Sequence, residues 1–140
     1  MTNFLRTIAD YEFFIYTLPE QFSSIKSSTL TLIRVGMSSA KISGEIRFVK
    51  DFILVVRERV LYNRLPVTID EYGYEVWQGQ NKLYWYDSQP HPNDPTLQNN
   101  HPHHKHIPPD IKHNRIPAPQ MSFNQANLTV LIFEIENLSM

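Results

Sequence analysis

Hydrophobic residues near the start of the chain recur at the spacing of an α-helix. They lie three or four positions apart, so they share one helix face. The residues of this face are Phe4, Ile8, Tyr11, Ile15 and Leu18. Pro19 follows directly, and because proline has no amide donor we predict that the helix ends or is kinked there.

From about Ser28 the apolar residues recur with a period of two, which indicates β-strands. The predicted strands cover residues 28–36, 41–48, 52–61, 71–77 and 82–87. The last two are rich in tyrosine and tryptophan and are joined by a four-residue turn that contains Gly79. Because the connections are short, we predict an antiparallel meander of about five strands.

The composition changes sharply after Asp87. Eight of the ten prolines and all six histidines follow this residue, and no glycine occurs after Gly79. Proline fixes φ and withholds an amide donor, so we predict an extended segment over residues 89–122, here named the Pro/His-rich arm. In residues 123–140 the spacing of leucine and isoleucine predicts a C-terminal helix, although part of the pattern also fits a strand.

Together these elements predict an α+β fold with an N-terminal helix packed on the sheet. A chain of 140 residues has the size of one domain. We therefore assign residues 1–140 to a single domain, with a helix-plus-sheet core in 1–88, the arm in 89–122 and the last helix in 123–140. The sequence contains no cysteine, which excludes disulfides and thiolate metal sites.

The sequence carries no sign of export or of a membrane anchor. Its first residues lack the apolar stretch of a secretory signal. No apolar run approaches the roughly 18–20 residues that span a bilayer. We therefore expect a cytoplasmic protein without a membrane segment.

Charge is distributed unevenly along the chain. The formal net charge is −1, so total charge does not indicate a nucleic-acid-binding protein. Residues 47–64 nevertheless hold five basic and two acidic side chains, and residues 99–116 hold three basic side chains, one acidic side chain and five histidines. This segregation predicts a local anion-binding surface. Its candidate substrate-binding residues are Arg57, Arg59, Lys112 and Arg115.

The most concentrated candidate chemistry lies in the run Pro-His-His-Lys-His at residues 102–106. Cleaving RNA without a metal requires a base for the ribose 2′-OH, an acid for the leaving oxygen and cations for the phosphate. Histidine suits both proton transfers because its pKa lies near neutrality. We therefore predict His103, His104 and His106 as acid–base residues and Lys105 as the catalytic cation. In an extended segment His104 and His106 share one face, and His103 and Lys105 share the other.

Two other interpretations of this segment remain open. In the first, the histidines bind zinc or nickel, with Asp87 and His91 completing the site. The candidate ligands of the arm are His101, His103, His104 and His106, but their spacing matches no zinc finger and no His–Glu–x–x–His motif. In the second, the arm docks another protein without catalysis, and its histidines are solvated or hydrogen-bonded to the backbone.

The order of these motifs resembles that of the TumE-type toxins of bacterial type II toxin–antitoxin systems. The matching positions are Arg57-Glu58, Tyr86-Asp87, Pro90-His91 and residues 102–106. The similarity extends over essentially the whole chain. Two positions differ, because Trp85 stands where the family commonly has arginine and Pro92 stands where a second histidine often follows.

The resemblance implies a toxin that acts as a metal-independent RNA endonuclease without a cofactor. RNA would be its substrate and a cognate antitoxin protein its partner, with a homodimer left open. Supporting roles are implied for Glu58, Tyr86, Asp87 and His91.

A single site also requires the arm to fold back onto the sheet, because Arg57 and Lys105 are about fifty positions apart. We expect at least one histidine of the 102–106 run to lie within about 10 Å of Arg57, Glu58 or Asp87. We further expect this run to be exposed, so that replacing His104 or His106 costs less than about 1 kcal/mol of stability.

Overall fold

The computed structural model describes residues 3–89 and 102–140. Its helices are α1 (Ile8–Tyr16), α2 (Leu18–Gln21) and α3 (Asn127–Leu138), with a 3-10 turn at Val49–Asp51. The side chain of Thr7 caps α1 by accepting a hydrogen bond from the amide of Asp10. Within the described residues no helix is long and apolar enough to span a membrane.

Pro19, at which we predicted that the first helix ends or is kinked, lies in a separate short helix just beyond it. Helix α1 ends at Tyr16, and the short α2 then carries Pro19 in its first turn. A proline is tolerated there because amide groups in the first turn have no partner within the helix.

The described residues form one antiparallel sheet of eight strands. The strands are β1 (Ile25–Ser28), β2 (Thr31–Val35), β3 (Ser39–Phe48), β4 (Phe52–Leu61), β5 (Thr68–Gln78), β6 (Asn81–Asp87), β7 (His104–His106) and β8 (Arg115–Pro117). From β3 to β8 each strand pairs with the next, while β1 and β2 both pair with the outer edge of β3. The predicted α+β class, the meander and the C-terminal helix are therefore confirmed.

The predicted number of about five strands is wrong for two physical reasons. The segment predicted as one strand at 28–36 is interrupted at residues 29–30, and the ten-residue β3 pairs with both pieces, one after the other along the same edge. The Pro/His-rich arm also adds β7 and β8, whose three-residue length is too short to give a periodic signal.

The two faces of the sheet differ in burial. In β4, Leu54, Val56 and Glu58 are buried, whereas Arg57 and Arg59 point to the other face and are exposed. The buried face belongs to the same hydrophobic cluster as α1 and α3. We call it the core face, and we call the opposite face, which carries Arg57, the outer face.

One carboxyl group lies within this core. Glu58 accepts hydrogen bonds from the hydroxyl of Tyr11 on α1, at 2.5 Å, and from the hydroxyl of Tyr74 on β5. The side-chain amide of Asn127 on α3 donates to the same Tyr74 hydroxyl at 3.1 Å. The network joins two helices to two strands, and it satisfies a polar group that would otherwise be costly to bury.

Burial raises the pKa of Glu58 above its usual value near 4.5, and the two tyrosine hydrogen bonds only partly offset this effect. The folded protein therefore retains a proton at pH values where the unfolded chain has lost it. By linkage, this group's contribution to stability falls as the pH rises above about 4.5.

We expect Glu58→Ala to lower the free energy of unfolding by about 2–4 kcal/mol, because it leaves the hydroxyls of Tyr11 and Tyr74 without their buried acceptor. Glu58→Gln keeps the shape and one acceptor, so it should cost less. Urea unfolding followed by circular dichroism measures both. An equal cost for the two variants would show that the hydrogen bonds contribute little.

Comparison of Glu58→Gln with the natural protein also tests the raised pKa through its pH dependence. The stability of Glu58→Gln relative to the natural protein should improve between pH 4.5 and pH 7.5, because the amide has no proton to lose. A difference that stays constant over this range would contradict the raised pKa.

Candidate functional site

Strand β7 adds His104 and His106 to the edge of the meander. It pairs antiparallel with β6, so that His104 lies opposite Asp87 and His106 lies opposite Trp85. Directly opposed residues share one face of a sheet, and here it is the outer face. The predicted return of the arm onto the sheet is thus confirmed for the part that the structure describes.

Asp87 contacts both imidazoles, and we name Asp87, His104 and His106 the Asp87 cluster. Nε2 of His104 lies 2.6 Å from Oδ1 of Asp87, and Nε2 of His106 lies 3.2 Å from Oδ2. This confirms the expected proximity of the arm to Asp87. The two histidines are only 1% and 5% exposed, so the expectation of an exposed run is wrong for them. Pairing on both edges of β7 buries these rings.

The remaining ring nitrogens face backbone carbonyls. Nδ1 of His104 lies 3.0 Å from the carbonyl oxygen of Pro102, and Nδ1 of His106 lies 3.0 Å from that of Ile111. A carbonyl oxygen can only accept, so each Nδ1 carries a proton. Nε2 of each ring faces the carboxylate of Asp87.

The surroundings of the cluster lower the pKa of both Asp87 and His106. Burial alone raises the pKa of Asp87, but contact with His104 and hydrogen bonds from the Gln89 amide and Trp85 outweigh it and lower the pKa to about 2. The pKa of His106 is lowered by burial and by His104, against the opposing effect of Asp87. At neutral pH the cluster therefore contains an ionised carboxylate and a neutral His106.

The three residues also have the donor atoms of a metal site. One ligand atom from each lies within 4.8 Å of the others. Two imidazoles and one carboxylate suit a divalent transition metal.

A groove of about 720 Å³ opens beside the cluster. Its lining includes Lys41, Ser43, Arg57, Arg59, Tyr72 and Asp87. Cross-strand pairing connects the groove to the cluster along one row on the outer face. The row runs through Ser43, Arg57, Gly73, Asp87 and His104.

Gly73 makes room for the arginine of this row. A Cβ at position 73 would overlap the guanidinium of Arg57, so the Arg57 side chain lies across β5 toward the strand that carries Asp87. Within residues 3–89 and 102–140 Arg57 makes no ion pair, whereas Nε of Arg59 donates to Asp70 at 2.9 Å. Of the two predicted substrate-binding arginines on β4, Arg57 is the one whose charge is not paired with a carboxylate of the described residues.

Lys105 and His103 lie on the opposite side of β7 from the cluster. Nζ of Lys105 is 4.1 Å from the centre of the Tyr84 ring and 3.7 Å from a carboxylate oxygen of Glu134. Nδ1 of His103 is hydrogen-bonded to the Tyr72 hydroxyl at 2.6 Å. The predicted alternation of the run is confirmed, but it separates these two residues from His104 and His106.

The other predicted site residues are dispersed. Tyr86 is buried on the core face, where its hydroxyl donates to Glu134 at 2.9 Å. Lys112 is exposed, and Arg115 is half-buried on β8 opposite His106. His91 lies outside the described residues.

Two further residues contribute to the site and were not predicted as site residues from the sequence. Trp85 stacks on His106 with ring centres 4.0 Å apart, and its Nε1 donates to Oδ2 of Asp87 at 3.2 Å. Gly73 was missed because only the hairpin register places it opposite Asp87. The two-residue spacing of Trp85 and Asp87 could have indicated Trp85, because both side chains then share one face of the strand. The position of Gly73 depends on the turn geometry, which sets the register.

Comparison with known proteins gives one informative result. No curated protein and no solved structure matches the chain. The sequence model of the family described as Toxin TumE matches residues 15–139, which include the end of α1, helices α2 and α3, all eight strands and the Asp87 cluster. The chain therefore belongs to the TumE toxin family.

Proposed function

We propose that this TumE-family toxin is an RNA endonuclease that acts in the cytoplasm and is neutralised by a cognate antitoxin protein. The observation that carries the proposal is the outer-face row, which joins the available charge of Arg57 to the buried Asp87 cluster. Family membership supports the toxin role and an antitoxin partner. The substrate and the reaction rest on the geometry of the row.

The groove provides the substrate site in this proposal. Its volume of about 720 Å³ falls within the range of small-ligand pockets and suits a nucleotide. Arg57 would bind a phosphate through its planar guanidinium, because its donors are not taken by a carboxylate of the described residues. Lys41 and Ser43, which also line the groove, would contact the RNA strand on the far side of Arg57.

The Asp87 cluster provides the reactive groups. Sequence analysis predicted metal-free proton transfer by imidazoles, and this stays a prediction. Both ring nitrogens of His104 and His106 have partners within the protein, so proton transfer to RNA requires Asp87 to move aside. A metal ion on the same three residues would act without that movement.

Lys105 and His103 take a different role in this proposal. The contacts of Lys105 with Tyr84 and Glu134 and of His103 with Tyr72 anchor β7 on the core face. These anchors hold His104 and His106 in register on the outer face. We therefore assign Lys105 and His103 to positioning. Loss of either would act through the cluster.

Asp87→Asn should reduce RNA cleavage by at least about 100-fold and abolish growth inhibition, because it removes the charge that organises the cluster. The matched control is His113→Ala, which removes an exposed histidine that also contacts an aspartate. Cleavage of labelled RNA and colony formation after induction measure the two effects. Unchanged cleavage by a folded Asp87→Asn protein would exclude the cluster as the reactive centre.

Cleavage in EDTA separates the two sources of chemistry. Proton transfer by imidazoles alone should continue after chelation. Loss of cleavage in EDTA with recovery on added Zn²⁺ would assign the reaction to a metal ion. Absence of RNA cleavage under both conditions would leave the protein-docking function that the sequence also allowed.

Gly73→Ala tests the position of Arg57. The added methyl group meets the flexible end of that side chain, so the stability should change by less than about 1 kcal/mol. We expect a roughly tenfold loss of affinity for 2′-O-methyl RNA, which cannot be cleaved through its 2′-OH, measured by fluorescence anisotropy at fixed salt.

A double-mutant cycle supplies the control for this prediction. In an Arg57→Gln background, Gly73→Ala should have no further effect, because the displaced charge is already absent. An equal loss of affinity in both backgrounds would show that Gly73 acts by another route.

A further inference from the structure

Three candidate metal-ligand atoms converge on the outer face of the sheet. They are Nε2 of His104, Nε2 of His106 and the carboxylate of Asp87, and they all lie within 4.8 Å of one another. The three residues come from adjacent paired strands, so their positions are set by the backbone hydrogen bonds between β6 and β7. The fold therefore holds the set together before any ligand binds.

The backbone holds the second nitrogen of each ring. Each Nδ1 donates its proton to a carbonyl, of Pro102 in one case and of Ile111 in the other. A neutral ring in this tautomer presents only a lone pair at Nε2. Metal-binding histidines commonly show this arrangement, with the second ring nitrogen donating to a backbone carbonyl.

Both Nε2 atoms lie against the same carboxylate. Nε2 of His104 is 2.6 Å from Oδ1 of Asp87, and Nε2 of His106 is 3.2 Å from Oδ2. The three candidate ligand atoms are therefore close enough to share one ion.

We infer that Asp87, His104 and His106 bind a divalent transition-metal ion and that Zn²⁺ fits this ligand set. Tetrahedral Zn²⁺ with bonds of about 2.0–2.1 Å separates its ligand atoms by about 3.3 Å. The distance from His106 Nε2 to Asp87, 3.2 Å, matches this value, whereas the 2.6 Å from His104 Nε2 to Asp87 would lengthen when the ion binds. Three protein ligands leave a fourth position for water or a phosphate oxygen. Asp87 lines the groove, so this position would be supplied from that side.

Neighbouring residues orient the ligands as in established metal sites. Trp85 stacks on the His106 ring and donates from Nε1 to Oδ2 of Asp87. The amide of Gln89 donates to Oδ1 of Asp87 at 3.0 Å. These contacts fix the carboxylate while leaving further lone pairs on each of its oxygens for a metal.

Metal binding to the untagged protein tests the inference directly. After treatment with EDTA and buffer exchange, calorimetric titration with ZnCl₂ should show one ion per chain, and Zn²⁺ should raise the melting temperature. Asp87→Asn, His104→Gln and His106→Gln should each weaken Zn²⁺ binding by at least about tenfold, because loss of a ligand costs no less than loss of an orienting residue. His113→Ala, which removes an exposed histidine beside Asp110, should bind as the natural protein does.

Two results would overturn the inference. The first is no binding heat and no rise in melting temperature of the natural protein with Zn²⁺, Co²⁺ or Mn²⁺. The second is undiminished binding by folded variants of the three ligands, which would place the ion elsewhere. The titration of the natural protein needs no substitution, so misfolding of a variant does not block the test.

This inference concerns the same cluster as the proposed nuclease but is measured without RNA. Zn²⁺ binding without RNA cleavage would support the metal site and remove the nuclease. RNA cleavage without metal binding would support the nuclease and overturn the metal site. The two can therefore fail separately.

Discussion

The register between β6 and β7 is the constraint on which the rest of the candidate site depends. It places His104 opposite Asp87 and His106 opposite Trp85, so both imidazoles reach one carboxylate. A slip of one residue would turn both histidines to the core face and bring Lys105 to the outer face. A strand of three residues has few ladder hydrogen bonds to prevent such a slip, so its side-chain contacts take on that role.

Those contacts lie on both faces of β7. On the outer face His106 stacks on Trp85, and on the core face Lys105 lies over the ring of Tyr84 beside Glu134. Strand β8 then covers the free edge. The run at residues 102–106 therefore works as one unit, in which alternate residues form the cluster and hold it in place.

The sheet carries polar chemistry on both faces, with different physical consequences. On the core face, Glu58 is enclosed by tyrosine hydroxyls, which ties the helices to the sheet. On the outer face, Arg57 lies over Gly73 toward the cluster. The adjacent motif residues Arg57 and Glu58 therefore serve opposite faces, because neighbouring side chains of a strand diverge. Arg57 is placed to contact a ligand, and Glu58 contributes to stability.

The sequence by itself determined the local features of this protein. Period-two alternation predicted β4 with its correct bounds, and the proline and histidine content after Asp87 identified the arm. Such signals depend on neighbours within one segment. Only the tertiary structure decided that the outer face carries the cluster, that Lys105 lies away from it, that His104 and His106 are buried and that Gly73 accommodates Arg57. These features arise from pairing between segments far apart in the chain, where burial, tautomer and charge are set by residues that no local pattern can identify.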